Sequence, residues 1–221
     1  EDNQWVLDVS EKETIMVGMI GNLEPGSADF PKQLERFAKN RLFRGIRYGY
    51  LWGNDLRESL QKPQFVDGLK RLSAGGYTLD SANPTVRLLE DLIQVGDRVP
   101  DLRIVIDHLP KIAIPSDAAG RAAYDRALKT LAARKNVYVK VSAVLGKVGD
   151  RIPYELAPYR AKLDAIYDAF GPDRLLYGSD WPNSEPLGNY AQVLAVVREY
   201  FEGKGPEVAE KYFWKRSEEH T

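Results

Sequence analysis

The 221-residue sequence contains no cysteine, and this absence removes several kinds of chemistry at once. Disulfide bonds, thiolate nucleophiles and sulfur ligands for a metal are all excluded. Histidine is nearly as scarce, since the chain has 2 and one of them, His220, lies in the C-terminal tail. The other, His108, cannot by itself form a metal centre built from several histidines.

An excess of charge and long apolar runs are missing as well. The 31 basic and 32 acidic residues leave a net charge of -1, so no global field attracts nucleic acid or an anionic membrane. No stretch approaches the roughly 20 apolar residues of a transmembrane helix. We expect a soluble protein with a small-molecule substrate and neither a nucleic-acid nor a membrane partner. A homo-oligomer is compatible with the sequence, and a cytoplasmic location is only the default expectation.

Several enzyme signatures are also absent. The chain has no GxSxG nucleophile elbow and no HExxH zinc motif, which argues against a serine hydrolase and a zinc protease. It has neither GxGxxG nor GxxxxGK[ST], the glycine-rich turns with which a nucleotide-binding doubly wound sheet opens.

What the sequence does contain is one pattern repeated six times: a short apolar run, a polar break and a segment with helical spacing of apolar residues. Apolar stripes such as the one through Leu88 and Leu92 predict the helices, and Ser27 and Asn83, which precede prolines, predict two helix starts. One domain over 1–221 is expected. The predicted strands are 15–20, 43–48, 77–79, 103–107, 137–141 and 174–177.

Polar residues follow several of these strands, which favours a (β/α)8 barrel over a doubly wound sheet. In a barrel, the carboxyl ends of all strands meet on one face and carry the active site. The strand-end residues in question are Arg47, Asp80, His108, Ser142 and Asp180.

Asp180 and His108 are the predicted catalytic residues. Asp180 follows a buried run, Leu175 to Tyr177, and precedes Pro182, so it is either aimed outward from a strand end or caps the following turn. His108 can orient a carbonyl, move a proton or bind a metal, or it is a hydrogen-bonded core residue. Strand alternation turns Asp107 away from His108, so Asp107 is interpreted as structural.

The other candidates are predicted to bind substrate. Arg47 suits an anionic substrate oxygen, or else pairs with a protein carboxylate. Lys140 and Ser142 share one strand face, and an inward lysine implies a functional or ion-pair role. Asp80 either lines the pocket or caps the next helix. Tyr48, Tyr50, Trp52 and Trp181 are candidate walls of the pocket, and surface packing is the alternative explanation for the loop aromatics.

Four segments carry a resemblance: FRGIR, IDHLPK, VKVS and YGSDWP, in that order along the chain. Taken together they resemble the amidohydrolase 2 family, and within it the branch of sugar-lactone and 2-pyrone-4,6-dicarboxylate lactonases. The resemblance covers nearly the whole chain and implies a distorted (β/α)8 barrel, with the six predicted strands as its third to eighth. It implies Asp180 as the general base that activates water, His108 as a residue that polarises the scissile carbonyl, and Arg47 as the holder of an anionic oxygen. The segments lie at 43–47, 106–111, 139–142 and 177–182.

The sequence departs from the family at two places. Members begin with a strand that ends in His-x-His and a second strand, and neither precedes Glu1, so we expect these strands to lie outside this chain. Metal-dependent members also carry a histidine after the fifth strand, where this chain has Asp80. The resemblance therefore implies the branch that requires no metal.

The resulting hypothesis is a hydrolase that opens a cyclic ester by direct attack of water, with no cofactor required. The alternative within the family is a hydrolase or decarboxylase with one divalent metal such as zinc, ligated by His108 and Asp180. An alternative of another class is a non-catalytic barrel fragment that binds a sugar or a protein partner.

Overall fold

A computed structural model describes residues 2–12 and 15–215 of the chain. Its centre is one sheet of six parallel strands in which each strand pairs with the next one along the chain. The strands are β1 (Met19–Gly21), β2 (Phe43–Arg47), β3 (Thr78–Ser81), β4 (Arg103–Ile106), β5 (Val137–Val141) and β6 (Leu175–Tyr177).

Helices connect the strands and follow the last of them. Short 3-10 turns at Leu109–Lys111 and Pro172–Arg174 and a π-helical turn at Lys211–Lys215 supplement them. No helix within the described ranges is long and apolar enough to cross a membrane. The helices are α1 (Asp2–Ser10), α2 (Phe30–Ala38), α3 (Leu56–Ser59), α4 (Pro63–Ala74), α5 (Val86–Arg98), α6 (Ala118–Ala132), α7 (Ala157–Phe170), α8 (Tyr190–Glu202) and α9 (Pro206–Glu210).

The strand order confirms the prediction of a barrel architecture. A doubly wound sheet reverses its strand order at a switch point, whereas these strands follow one another without reversal. Among the described residues, β1 and β6 have no strand on their outer sides. The six strands therefore form an open, incomplete part of a (β/α)8 barrel, and their carboxyl ends share one edge.

The two faces of the sheet differ in chemistry. Residues on the convex face, including Ile46, Leu79 and Ile104, are fully buried against the surrounding helices. Each such side chain contributes roughly 1.5–3 kcal/mol when taken from water. The concave face carries polar side chains at alternate positions, as the period of two along a strand requires. The apolar core thus lies between sheet and helices, and the polar residues are left to the barrel interior.

The first predicted strand is shorter than expected. Pairing with β2 begins at Met19, opposite Phe43, and residues 15–18 form no strand. Ile15 and Val17 are exposed, because they lie outside the paired segment and no helix covers them. Residues 13–14 of the connection lie outside the described part. The remaining strands agree with the predicted ones to within two residues at each end.

The predicted helix starts at Ser27 and Asn83 are each two residues early. The residues before the first helical turn are Asp29 and Thr85. Thr85 is a true cap, because its hydroxyl oxygen accepts a hydrogen bond from the Leu88 amide at 3.1 Å. Asn83 instead takes a left-handed conformation (φ 58°) in the loop before α5.

Candidate active site

His108 and Asp180 face each other at the carboxyl edge of the sheet. The Nε2 atom of His108 lies 3.5 Å from Oδ1 of Asp180, and the two side chains are 14% and 13% exposed. The structure thus brings together the two residues that the sequence predicts to be catalytic. Both side chains are thus largely shielded from bulk water, and neither is fully buried.

Both residues have a left-handed backbone, with φ of 58° at His108 and 55° at Asp180. This conformation is uncommon for residues other than glycine and costs of order 1–3 kcal/mol, so surrounding contacts have to hold it. Lys162 of α7 helps to do so, since its ammonium donates to the carbonyl oxygens of Pro110 (3.0 Å) and Ile112 (3.1 Å) in the turn after His108. Burial lowers the pKa of Lys162 below its ordinary value.

The loop after Asp180 also shows the turn chemistry that the sequence left open. The backbone oxygen of Asp180 accepts from the Ser184 amide at 3.0 Å. Its side chain accepts from Nδ2 of Asn183 at 3.3 Å while facing His108. Asp180 therefore does both things that the sequence offered as alternatives: it stabilises the turn that follows it, and its side chain faces outward from the strand end. The contact of Asn183 with Asp180 was not predicted from the sequence, where only the closeness of the two residues along the chain pointed to it.

The prediction that strand alternation turns Asp107 away from His108 needs correction. Asp107 continues the inward alternation of Arg103 and Val105, is fully buried, and ion-pairs with Arg47 and Lys140. Alternation alone would turn His108 outward, but its left-handed backbone returns the ring to the same edge. The two residues therefore lie in one cluster, and simple alternation failed because β4 ends at Ile106, before both of them.

Four charged side chains from four consecutive strands form an alternating chain in the barrel interior. A terminal nitrogen of Arg47 lies 2.8 Å from Asp107, the ammonium of Lys140 lies 2.8 Å from Asp107, and the same ammonium lies 2.5 Å from Asp80. Two cations and two anions thus balance one another, with both carboxylates buried and both cations partly exposed. Arg47 keeps 34% of its side chain exposed, which makes it the accessible end of the chain.

The structure shows the protein contacts of the other predicted site residues. Lys140 and Ser142 point in the same direction, as their shared strand face predicted, and that direction is inward, where Lys140 forms ion pairs. Asp80 caps no helix, since it accepts from Thr78 at 2.8 Å and from Lys140. Arg47 pairs with a protein carboxylate. Ser142 is buried, and its hydroxyl contacts Nδ1 of His108 at 2.7 Å.

Burial and neighbouring charges shift the protonation of this cluster. Burial lowers the pKa of His108, and the carboxylates of Asp180 and Asp107 only partly oppose this effect. The imidazole is therefore neutral at neutral pH. Burial would also lower the pKa of Lys140, but the adjacent Asp80 and Asp107 outweigh it and raise that pKa. Lys140 is accordingly a charged lysine held by two carboxylates.

The aromatic residues that were predicted to line the pocket lie in different parts of the structure. Tyr48 is buried with its hydroxyl 2.8 Å from Ser59, and Tyr50 donates to Asp91 of α5, so both face away from the site. Trp52 is 63% exposed, and with Arg47 it lines a cleft of about 390 Å³. Trp181 is 44% exposed and packs edge-on against Tyr190 at 6.3 Å beside Asp180.

A larger cavity of about 500 Å³ lies inside the sheet toward the amino ends of the strands. Asp80, Lys140 and Thr78 line it, and neither His108 nor Asp180 does. In parallel barrels the chemistry takes place at the carboxyl ends of the strands, so we assign the site to the His108–Asp180 edge rather than to this larger space.

Two of the residues at this edge have the geometry of metal ligands. Donors about 2.0–2.2 Å from a tetrahedral zinc ion lie roughly 3.4 Å apart, which is close to the 3.5 Å between His108 and Asp180. Within residues 2–12 and 15–215, no group of three or more His, Cys, Asp or Glu side chains is placed to hold an ion. The described residues therefore offer two suitable donors and not a complete set.

Comparison with known proteins agrees with this architecture. Residues 1–216 match the family model described as Amidohydrolase. An L-fucono-1,5-lactonase of Burkholderia ambifaria is 33% identical over 194 residues, which cover 86% of this chain and 63% of that protein. An L-fucono-1,5-lactonase of Burkholderia multivorans is 31% identical over 182 residues, covering 79% and 61%. The chain thus spans about three fifths of the length of these curated relatives.

Solved structures show the same fold. An amidohydrolase of Burkholderia multivorans with bound zinc superposes with a TM-score of 0.84 at 23% identity, covering 98% of this chain and 77% of that one. A putative 2-pyrone-4,6-dicarboxylic acid hydrolase of Pseudomonas putida gives 0.72 at 25% identity, covering 99% and 77%. The resemblance predicted from the sequence motifs is confirmed. The chain belongs to the amidohydrolase 2 family, within its lactonase-like branch.

Proposed function

We propose that the protein is a hydrolase that opens a lactone by direct attack of water, with Asp180 as the general base and His108 as the donor to the scissile carbonyl. The observation that carries this proposal is the 3.5 Å approach of His108 Nε2 and Asp180 Oδ1 at the carboxyl edge of the sheet. The two curated L-fucono-1,5-lactonases that resemble this chain support a sugar lactone as the substrate class.

The proposed reaction has two steps. In the first, the Asp180 carboxylate takes a proton from water while the water oxygen attacks the lactone carbonyl, and the N–H of neutral His108 stabilises the oxygen that becomes negative. In the second, the tetrahedral intermediate collapses, the ring C–O bond breaks, and Asp180 returns the proton to the departing alkoxide. The product is a hydroxy acid, and both residues regain their starting states.

Other residues would position the substrate. Asp107 contacts one terminal nitrogen of Arg47, and since a guanidinium has five N–H donors, others remain for an anionic or hydroxyl oxygen of the ligand. Trp181 and Trp52 would cover the faces of a sugar ring. Lys140 and Asp80 hold the charged chain and do not enter the proposed contacts. Tyr50 does not contact the substrate in this proposal, because its hydroxyl donates to Asp91.

Asp180→Asn tests the proposal. Acid release from L-fucono-1,5-lactone and L-rhamnono-γ-lactone would be followed in a weakly buffered indicator assay. We expect kcat to fall by about 10²–10⁴, because the amide cannot accept the proton of water. Circular dichroism of the variant would show that the fold is retained.

Asp117→Asn is the matched control, since Asp117 caps α6 through a hydrogen bond from the Gly120 amide and an amide oxygen can accept the same bond. This variant should keep full activity. Undiminished lactonase activity in Asp180→Asn would overturn the role of Asp180 as base, and absence of activity on every lactone in the wild type would overturn the proposed reaction.

A metal-dependent hydrolase or decarboxylase is the second candidate, and the ligand-like separation of His108 and Asp180 supports it together with the zinc of the Burkholderia multivorans structure. His108 and Asp180 would hold the ion. A bound zinc supplies a water of lowered pKa and polarises the carbonyl.

Metal content distinguishes the two candidates. Purified wild type, Asp180→Asn and His108→Gln would be analysed for zinc by mass spectrometry, with the thermal midpoint measured before and after dialysis against a chelator. Stoichiometric zinc in the wild type alone, with a midpoint that falls on chelation, would favour the metal-dependent candidate. Metal-free protein with full lactonase activity would favour direct attack of water.

A further inference from the structure

Ser142 holds one side of the His108 ring while Asp180 faces the other. The Ser142 hydroxyl lies 2.7 Å from Nδ1 of His108, and Ser142 is 1% exposed at the end of β5. At this distance and burial the contact is a hydrogen bond that water does not compete for. No other hydrogen bond of this hydroxyl is found in the described part of the chain.

The neighbouring strand leaves space for this serine. A Cβ atom on Gly178 would lie 3.0 Å from Cβ and 3.2 Å from Oγ of Ser142, so a side chain at that position would press on the hydroxyl. Glycine after β6 therefore gives the Ser142 side chain room to reach His108. This accounts physically for the glycine between β6 and Asp180.

The contact between Nε2 of His108 and Asp180 determines which atom donates in the hydrogen bond between Ser142 and Nδ1. A neutral imidazole carries one proton for two nitrogens, and a carboxylate can only accept. If Nε2 lacked the proton, its lone pair would face the Asp180 oxygen at 3.5 Å, acceptor against acceptor. A proton on Nε2 removes this repulsion and leaves Nδ1 as an acceptor, which the Ser142 O–H can satisfy.

We propose that Ser142 is a positioning residue that keeps His108 in the Nε2–H tautomer, with that N–H directed toward Asp180 and the space for the scissile carbonyl. The proposal rests on the proposed function, in which His108 donates to that carbonyl. It assigns Ser142 to the support of His108 rather than to substrate binding. His108 also has a strained, left-handed backbone, so contacts of its side chain, such as the one with Ser142, are needed to keep the residue in place.

Nitrogen NMR of protein labelled in its histidine rings tests the tautomer directly. Signals of His108 are identified by their loss in His108→Gln. Above the pKa of the ring, we expect Nδ1 to resonate as a hydrogen-bonded, unprotonated nitrogen and Nε2 as a protonated one. In Ser142→Ala, the Nδ1 signal should move to the position of a nitrogen without that bond or to a tautomer average, and Ser142→Thr should restore it.

Kinetics give the second readout. Ser142→Ala should lower kcat about tenfold with little change in KM, the size expected for one lost hydrogen bond, and Ser142→Thr should recover most of the loss. Ser81→Ala is the matched control: Ser81 is equally buried at the end of β3, but it points to the convex face, and its hydroxyl has no partner among the described residues. This variant should change neither kcat nor the NMR signals.

A proton on Nδ1 in the wild type, or ring signals that do not respond to Ser142→Ala, would overturn the proposal. These results do not depend on catalysis. Full activity in Asp180→Asn would instead overturn the proposed function while leaving the tautomer assignment standing, so the two failures are distinguishable.

Discussion

At the scale of single residues, the charged chain from Arg47 to Asp80 is the most demanding feature of the interior. Ion pairs withdrawn from water gain their attraction only when every charge keeps a partner. Lys140 is the shared partner, since its ammonium contacts both Asp80 and Asp107. The stability of the barrel interior therefore depends on this lysine more than on any exposed pair.

Lys140→Met should lower the free energy of unfolding by about 3–5 kcal/mol, because it leaves Asp80 without a cation and Asp107 with Arg47 alone. Urea unfolding measures this. Adding Asp80→Asn to the variant should recover part of the loss, since one buried charge disappears. Lys70→Met removes an exposed pair with Asp67 and should have little effect. A small loss for Lys140→Met, similar to that for Lys70→Met, would contradict the argument.

Tyr48 gives a prediction about pH. Burial raises the pKa of its hydroxyl to about 12, with the hydrogen bond between this hydroxyl and Ser59 opposing this. Above pH ~10 the unfolded chain ionises Tyr48 while the folded protein does not, so the stability that Tyr48 contributes is present below that pH and is lost as the pH rises to about 12. The difference in unfolding free energy between wild type and Tyr48→Phe should therefore fall by roughly 2–3 kcal/mol over this range. A constant difference would refute it.

The sequence predicts His108 and Asp180 as catalytic residues, because each follows an apolar run that ends in a loop. It misassigned Asp107, because the backbone conformation of the residue after a strand cannot be read from alternation. The partner of Arg47 was likewise undetermined, since Asp107 lies 60 residues further along the chain and only the fold brings the two together. The apolar runs thus located the ends of the strands. Which side chains meet there depends on the tertiary structure.

At the scale of elements, the close pairing of β2 and β3 depends on Gly45. Gly45 lies opposite Thr78, and a Cβ atom at Gly45 would overlap the carbonyl oxygen of Thr78 and lie 2.8 Å from its amide nitrogen. These atoms belong to a central strand and cannot move independently of it. Thr78 thus fills the space that the missing side chain of Gly45 leaves between the two strands.

Gly45→Ala should therefore destabilise the protein by about 1–3 kcal/mol, the usual cost of overpacking, as measured by urea unfolding. Gly146→Ala provides the control, because nothing lies within 4 Å of the added methyl group and the glycine has no positive φ. It should be neutral or slightly stabilising. Equal effects of the two substitutions would show that the strands separate more easily than the structure implies.

Helices and strands were predicted correctly where apolar residues recur at regular spacing. Short helices and helix ends were not, because capping contacts determine them. The six strands and the main helices follow from apolar spacing, whereas α1, α3 and α9 were not foreseen. The cap of α5 shows why boundaries are difficult: Pro84 marks the region, but Thr85 has the geometry to accept the Leu88 amide. Several residues near a proline can serve as a cap, and packing selects among them.

At the scale of the whole molecule, the strand order reflects a single repeated unit. Every βα unit adds the next strand to the same edge, so the strand-end residues converge although they are far apart in sequence. This convergence is what the sequence could predict from the pattern alone. The extent to which the barrel is open could not be derived from any one unit, because closure depends on how all strands pair.

One continuous apolar core, extending from Leu7 to Tyr212, joins nearly all elements, so the described part of the chain should unfold in a single step. Far-UV circular dichroism reports helices, and near-UV circular dichroism reports buried tyrosines such as Tyr200 and Tyr212. The two signals should give the same urea midpoint.

Tryptophan emission is a poor probe of the same transition, because all four tryptophans are exposed: Trp5, Trp52, Trp181 and Trp214. Emission in the native protein should already resemble that of indole in water and change little on unfolding. Loss of the near-UV signal at a lower urea concentration than the far-UV signal would contradict the single core, since tertiary packing would then melt while the helices persist.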